Sequence, residues 1–357
     1  MSLLEPRPAE QTPKIAIWVK RPKGPLFWSF VLLLALVLGP CGCKPNQSSN
    51  STPNDSPKPS TPVNLSQTAG PSKEPSPASS PSEIWKEFDG ARALETADAL
   101  ANLGPRAAGS DALNRARQLV LGDLTQQGWS IVQQRFTASS PDGKPIEFCN
   151  LIARMPGGAA QPGIVLSAYL DTPGTQEFQD VGATGGAANS AILVEVGRVL
   201  AVNRQLGSHV DLIFLDGHSP FHQLGLNDGL FGSRFFVQTL QVNQNSAGIQ
   251  AMISLGNVGD RDSRLNYAPN SDPALAESFR DGAKFVGVTL EPANRPFLTD
   301  HVPFQQAGIP ALALLDADSP SIDTADDNPQ RLDADSLRQT GSLLLYFLGS
   351  RTAALHR

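Results

Sequence analysis

From Gly163 onward, short unbroken apolar runs alternate with stretches of helical period. Residues 164–168, 210–215, 251–258 and 309–315 read as strands buried on both faces, and residues 189–202, 272–286 and 335–348 as helices. Strand and helix in alternation imply right-handed crossovers. The predicted fold class is therefore α/β, a doubly wound, mostly parallel, twisted sheet with helices on both faces. Ahead of it lie two helical patterns separated by the stop Leu103-Gly104-Pro105-Arg106. The second is well marked, with Ser110 as N-cap, Leu113, Ala116, Val120 and Leu124 along one stripe, and Gly128 past the end. Two extended segments, 129–136 and 148–153, flank the turn signal Pro141-Asp142-Gly143 and predict a hairpin at one side of the sheet.

The first 82 residues are built differently. They hold 15 of the 30 prolines. Residues 26–39 form an uncharged apolar run of 14, preceded by Lys14, Lys20, Arg21 and Lys23. At about 1.5 Å per residue the run falls short of a ~30 Å hydrocarbon core and resembles the core of a signal peptide, its basic flank on the cytoplasmic side. Extended to Cys43 it has 18 residues, so an uncleaved helical anchor is the other reading. A cysteine at the end of such a run suggests a bacterial lipoprotein signal, with Cys41 or Cys43 as the lipidation site; two incidental thiols are the third reading. Residues 44–82 lack aromatic residues and are rich in Ser, Pro, Asn and Thr, which predicts a disordered tether. The expected organisation is thus 1–43 signal peptide or membrane anchor, 44–82 tether and 83–357 folded domain, held outside the cytoplasm.

The folded part carries 20 basic and 30 acidic residues, a net charge of −10, so no basic footprint for nucleic acid exists. Cys149 is its one thiol, which excludes a disulfide framework or a cysteine metal site within it.

In a doubly wound sheet the ligand crevice lies beyond the carboxyl ends of the strands. The segments there, 169–174, 217–229, 256–262 and 316–328, are where chemistry is expected. They belong to an ordered series: Leu103-Gly104-Pro105-Arg106, Ser167-Ala168-Tyr169-Leu170-Asp171, Val181-Gly182-Ala183-Thr184-Gly185, Phe214-Leu215-Asp216-Gly217-His218-Ser219, Asp300-His301-Val302-Pro303-Phe304, and Asp323-Thr324-Ala325-Asp326-Asp327-Asn328. Together these resemble glutaminyl-peptide cyclotransferases, a branch of the zinc aminopeptidase superfamily, over roughly residues 85–350.

The resemblance implies one catalytic zinc held by Asp, Glu and His, with a second Glu as general acid/base. Carried over residue by residue, the ligand Asp is Gly185, the general base and ligand Glu are His218 and Ser219, and the ligand His is Asp323. The His of the dinuclear relatives is Tyr169, a further acid falls on Gly256 or Ser254, and the substrate-stacking Trp falls on Leu224. Gly has no donor and Ser is a poor zinc ligand. The expectation is no cofactor, and a tethered, non-catalytic relative able to bind a peptide or protein. The alternative is an active cyclotransferase or aminopeptidase with zinc on a rebuilt set, Asp171, His218, His301 and Asp323.

The pocket candidates are Asp171, His218, Leu224, Asp300, His301 and Asp323. Asp171 and Asp326 read as scaffold. For His301 two readings stand: it lines the cleft, as the resemblance implies, or it is a helix-start histidine with a structural hydrogen bond. His218 and His222 stand four apart, but Pro220 breaks any helix that would align them. Ser219 lacks the Gly-x-Ser-x-Gly elbow of a serine hydrolase.

Overall fold

The computed structural model describes residues 83–159, 163–174, 181–225, 227–262, 264–322 and 324–355. The apolar run, the tether and the lipidation candidates Cys41 and Cys43 lie outside the described residues, as does Asp323.

A single 3-10 turn at Ile84–Glu87 precedes α1 (Gly90–Ala101) and α2 (Asp111–Gln126), followed by β1 (Ser130–Ser139), β2 (Pro145–Arg154) and β3 (Ile164–Tyr169). Then come α3 (Ala188–Val202), the one-turn α4 (Arg204–Gly207), β4 (Val210–Leu215), α5 (Phe231–Val242), β5 (Ala251–Gly256), β6 (Leu265–Tyr267) and α6 (Pro273–Val286). The short β7 (Glu291–Pro292), α7 (His301–Gln306), β8 (Ala311–Asp316) and α8 (Ala334–Leu355) complete the domain.

Local signals account for the lead-in. The Ser110 hydroxyl accepts the Leu113 N–H at 3.1 Å and caps α2, whose stripe Leu113, Ala116, Val120 and Leu124 is fully buried. Gly128 takes φ +91°, the left-handed turn that lets the chain leave the helix for β1.

The sheet order is β1-β2-β4-β3-β5-β8-β6-β7. Its centre, β4, β3, β5 and β8, is parallel, while the β1–β2 hairpin joins β4 antiparallel at one end and β6 joins β8 antiparallel at the other. The doubly wound α/β expectation holds, with the hairpin at the edge as the pattern indicated. Successive strand residues feed opposite cores. Leu166, Leu212, Ile253 and Leu312 pack under α1, α3 and α8, and Val165, Ile213, Met252 and Ala311 pack against α5 and α7. Among the described residues, Ala183–Val202 is the one helical stretch long and apolar enough to cross a membrane, and 83% of that window is buried in the domain. It is the central core helix.

Three helices exceed the sequence expectation, the one-turn α4, α5 and α7. α5 is rich in Phe and Val, which favour strands, yet its apolar face at Phe236, Val237 and Leu240 packs on the sheet and decides the outcome. α7 is a short helix containing Pro303.

Candidate functional site

The carboxyl ends of β3, β4, β5 and β8 open into a cleft of about 760 Å³. Tyr169, Asp171, Gly185, His218, Ser219, Leu224 and Asn257 all line it.

Its supports are buried. The Arg106 guanidinium, fully buried, donates to the carbonyls of Leu170 (2.9 Å), Val181 (2.7 Å) and Gly182 (3.1 Å). The Leu-Gly-Pro-Arg block thereby fastens the loop after β3 to the loop that carries Gly185. At the end of β4 the chain turns at Gly217, φ +69°, where a Cβ would stand 2.5 Å from the Phe148 ring. That turn delivers the His218 and Ser219 N–H groups to the Asp171 carboxylate at 3.0 and 2.8 Å. Asp171, at the cleft, thus holds the turn after β4 by two backbone amides. Burial pushes its carboxyl up, against the pull of His218 and the two amides.

Asp216, at the end of β4, forms a buried ion pair with Arg117. Its Oδ2 accepts from Arg117 Nη2 at 2.5 Å and from the Cys149 N–H at 2.6 Å. Its Oδ1 has no partner among the described residues. Burial pushes the carboxyl up to about 6 despite Arg117.

Three side chains meet at the floor. The rings of Tyr169 and His218 stack at 3.8 Å between centroids and 5° between planes. His218 Nδ1 lies 2.7 Å from Asp300 Oδ2, so Nδ1 carries the proton that the carboxylate accepts. The Tyr169 hydroxyl donates to Asn257 Oδ1 at 2.7 Å. Both oxygens face Gly185, where a Cβ would stand 2.8 Å from Asn257 Oδ1 and 2.9 Å from Tyr169 Oη. The sequence reading missed Asn257. Its signal was an Asn following Gly256 at a strand end, a residue type that tolerates the left-handed φ of +53° found there.

The remaining candidates separate. Asp300 is buried and reaches the cleft through His218. His301 is wholly buried at the start of α7, its Nε2 3.1 Å from Asn270 Nδ2 and its Nδ1 without a partner among the described residues. Burial takes its pKa down to about 4, so the ring is neutral near pH 7. Of the two readings of His301, this geometry is the structural one. His222 sits on an exposed loop, 3.2 Å from Asp142 and apart from His218 in role. That loop is organised by Asp228, which accepts the N–H groups of Phe221, His222 and Gln223 at 2.8, 2.8 and 3.1 Å. Burial raises the Asp228 carboxyl, but the three amides outweigh it and the net shift is downward. Among the described residues no three His, Cys, Asp or Glu side chains converge as a metal site. Asp171 accepts the backbone amides of His218 and Ser219, His218 Nδ1 pairs with Asp300, and His301 Nε2 pairs with Asn270.

Residues 150–348 match the model of peptidase family M28. The chain belongs to that family. Within it, the chain is 30% identical over 257 residues to a glutaminyl-peptide cyclotransferase-like protein of Bos taurus, covering 62% of this chain and 65% of the relative. It is 28% identical over 262 residues to the Mus musculus protein of the same description, with the same coverage. The chain thus spans about 65% of the length of these curated relatives. A glutaminyl cyclase from an Acidobacteriales bacterium has a TM-score of 0.65 and 25% identity over 79% of this chain and 98% of its own. A leucine aminopeptidase precursor from Bacteroides thetaiotaomicron shares the fold, with a TM-score of 0.66 and 21% identity over 73% of this chain and 97% of its own.

Proposed function

We propose that this protein is an exported, membrane-tethered member of the M28 family, of the glutaminyl cyclase type, that holds a peptide or protein segment in its cleft without turning it over. One observation carries the reading: the space beside Gly185, where the resemblance puts a ligand carboxylate, is taken by Tyr169 Oη and Asn257 Oδ1. The residues do not fit a zinc ion. Gly185 offers no donor, and Ser219, a poor zinc ligand, gives its backbone N–H to Asp171. The ring of His218, at the general-base position, is stacked on Tyr169 and tied to Asp300. A zinc hydrolase or transferase needs about three protein ligands and an open position. The floor instead supplies a packed hydrogen-bonded cluster. The cleft above it keeps the strand-end position and size of a small-ligand or peptide site. The basic flank and apolar run of residues 14–39 support export, and the 44–82 segment supports tethering.

The test is ammonia release from peptides with an N-terminal glutamine, measured on the full chain with and without added zinc. No turnover above the uncatalysed rate is expected in either condition. Turnover that zinc restores and a chelator abolishes would contradict the proposal.

A further inference from the structure

The polar groups of the cleft are unevenly committed. Its described carboxylates are buried and already serve the protein's own backbone. Asp171 takes two N–H groups, Asp327 takes the Thr184 N–H at 2.7 Å, and Asp316 takes those of Arg264 and Asp318. Each is pointed at the scaffold, so none is left as a ready partner for a ligand amine. The donors are in the opposite state. Arg295 on the cleft wall is exposed and has no carboxylate partner among the described residues. Its guanidinium lies 4.4 Å from the centroid of the Phe297 ring. Phe297 is itself clamped, because its N–H and its carbonyl both bond the Asn270 side chain at 2.9 Å. Resting over the ring of a residue whose backbone is clamped helps hold the planar fork of the arginine ready for a bidentate acceptor, which lowers the entropy lost when one binds. At the floor Asn257 spends its oxygen on Tyr169. Its Nδ2 has no partner among the described residues and is the amide's remaining donor. The same cleft is also lined by the apolar groups Leu224, Pro296 and Leu298, the last 39% exposed.

We propose that the ligand of this cleft presents a carboxylate to Arg295 and an apolar side chain to Leu224 and Leu298, as the free C-terminus of a peptide does. This rests on the reading that the cleft holds a ligand, and it reverses the polarity of a site built for an N-terminal amine. A charge-assisted, bidentate Arg–carboxylate pair is stronger than the contact the same group makes with a neutral amide.

Calorimetric titration of the full chain tests it with three probes: N-acetyl-leucyl-phenylalanine, its C-terminal amide, and N-acetyl-glutamyl-phenylalanine amide. The free acid is expected to bind about tenfold more tightly than its amide. Arg295→Gln, a surface change that should leave the melting temperature alone, is expected to erase the difference, and Arg295→Lys to restore part of it. The third probe separates the two sources of a carboxylate: tight binding identifies an acidic side chain as an equal ligand, and weak binding assigns the preference to the chain terminus. Equal affinities for acid and amide, or a preference that survives Arg295→Gln, would overturn the carboxylate inference while leaving a ligand-holding cleft intact. Absence of binding by all three would overturn both.

Discussion

Replacing Arg117 by leucine is expected to cost about 3–5 kcal/mol of stability near neutral pH, because it strands a buried carboxylate. Arg117 is 9% exposed in its side chain and Asp216 2%, and Nη2 meets Oδ2 at 2.5 Å. Among the described residues no second cation pairs with Asp216, whose other side-chain bond is the Cys149 N–H. The loss should depend on pH with a definite sign. Burial already raises the Asp216 carboxyl from 3.8 to about 6, so between these values the folded state binds more protons than the unfolded one. Stability from this group therefore rises as pH falls from about 6 towards 4. Removing Arg117 takes away the cation that opposes the shift and moves the folded value higher still. The deficit of Arg117→Leu should accordingly shrink between pH 7.5 and pH 5, and adding Asp216→Asn should recover much of it at pH 7.5. Urea denaturation at both pH values measures this. A deficit under 1 kcal/mol, or one equal at both pH values, would show that the pair does not hold the β4 end in place.

Gly185→Ala is expected to destabilise by about 1–3 kcal/mol, the range for forcing an extra carbon into a filled space. The new atom would stand 2.8 Å from Asn257 Oδ1 and 2.9 Å from Tyr169 Oη, inside contact distance of both. The specific expectation is non-additivity. In an Asn257→Gly, Tyr169→Phe background both obstructing oxygens are gone, so the same Gly185→Ala change should cost at least about 1 kcal/mol less than in the parent. Strictly additive costs would mean that the space beside Gly185 is open, and the argument for a plugged floor would lose its basis.

How far the chain could be read follows from the range of the interactions. The central strands are continuous apolar runs whose alternate residues feed two cores, a local pattern that survives without knowledge of the partner strands. α2 was legible because Ser110, its apolar stripe and Gly128 all lie within 19 residues. α5 was not, because its Phe and Val content favours a strand and the sheet face it covers is contributed by distant segments. β6 and β7, at three and two residues, carry too few positions for any period to register. At the site, the strand-end placement of Tyr169, Asp171 and His218 was legible and their pairings were not. The Tyr169 to Asn257 bond spans 88 residues and the His218 to Asp300 bond spans 82. His301 was visible as a candidate, and only its burial in α7, against Asn270, distinguishes a structural imidazole from one that lines the cleft. Arg295 lies outside every family-like block quoted above. Its one signal, proximity to Phe297, acquires meaning only when the cleft wall is assembled.

On the proposed reading, Tyr169, His218 and Asn257 close the position where relatives of this type would need a metal. Zinc titration of the purified full chain by calorimetry, with elemental analysis after dialysis, tests it most directly. No zinc bound more tightly than about micromolar is expected, where structural and catalytic sites with three or more ligands are far tighter. One tightly held zinc per chain would contradict it, and would make His218, His301 and Asp323 the next residues to replace.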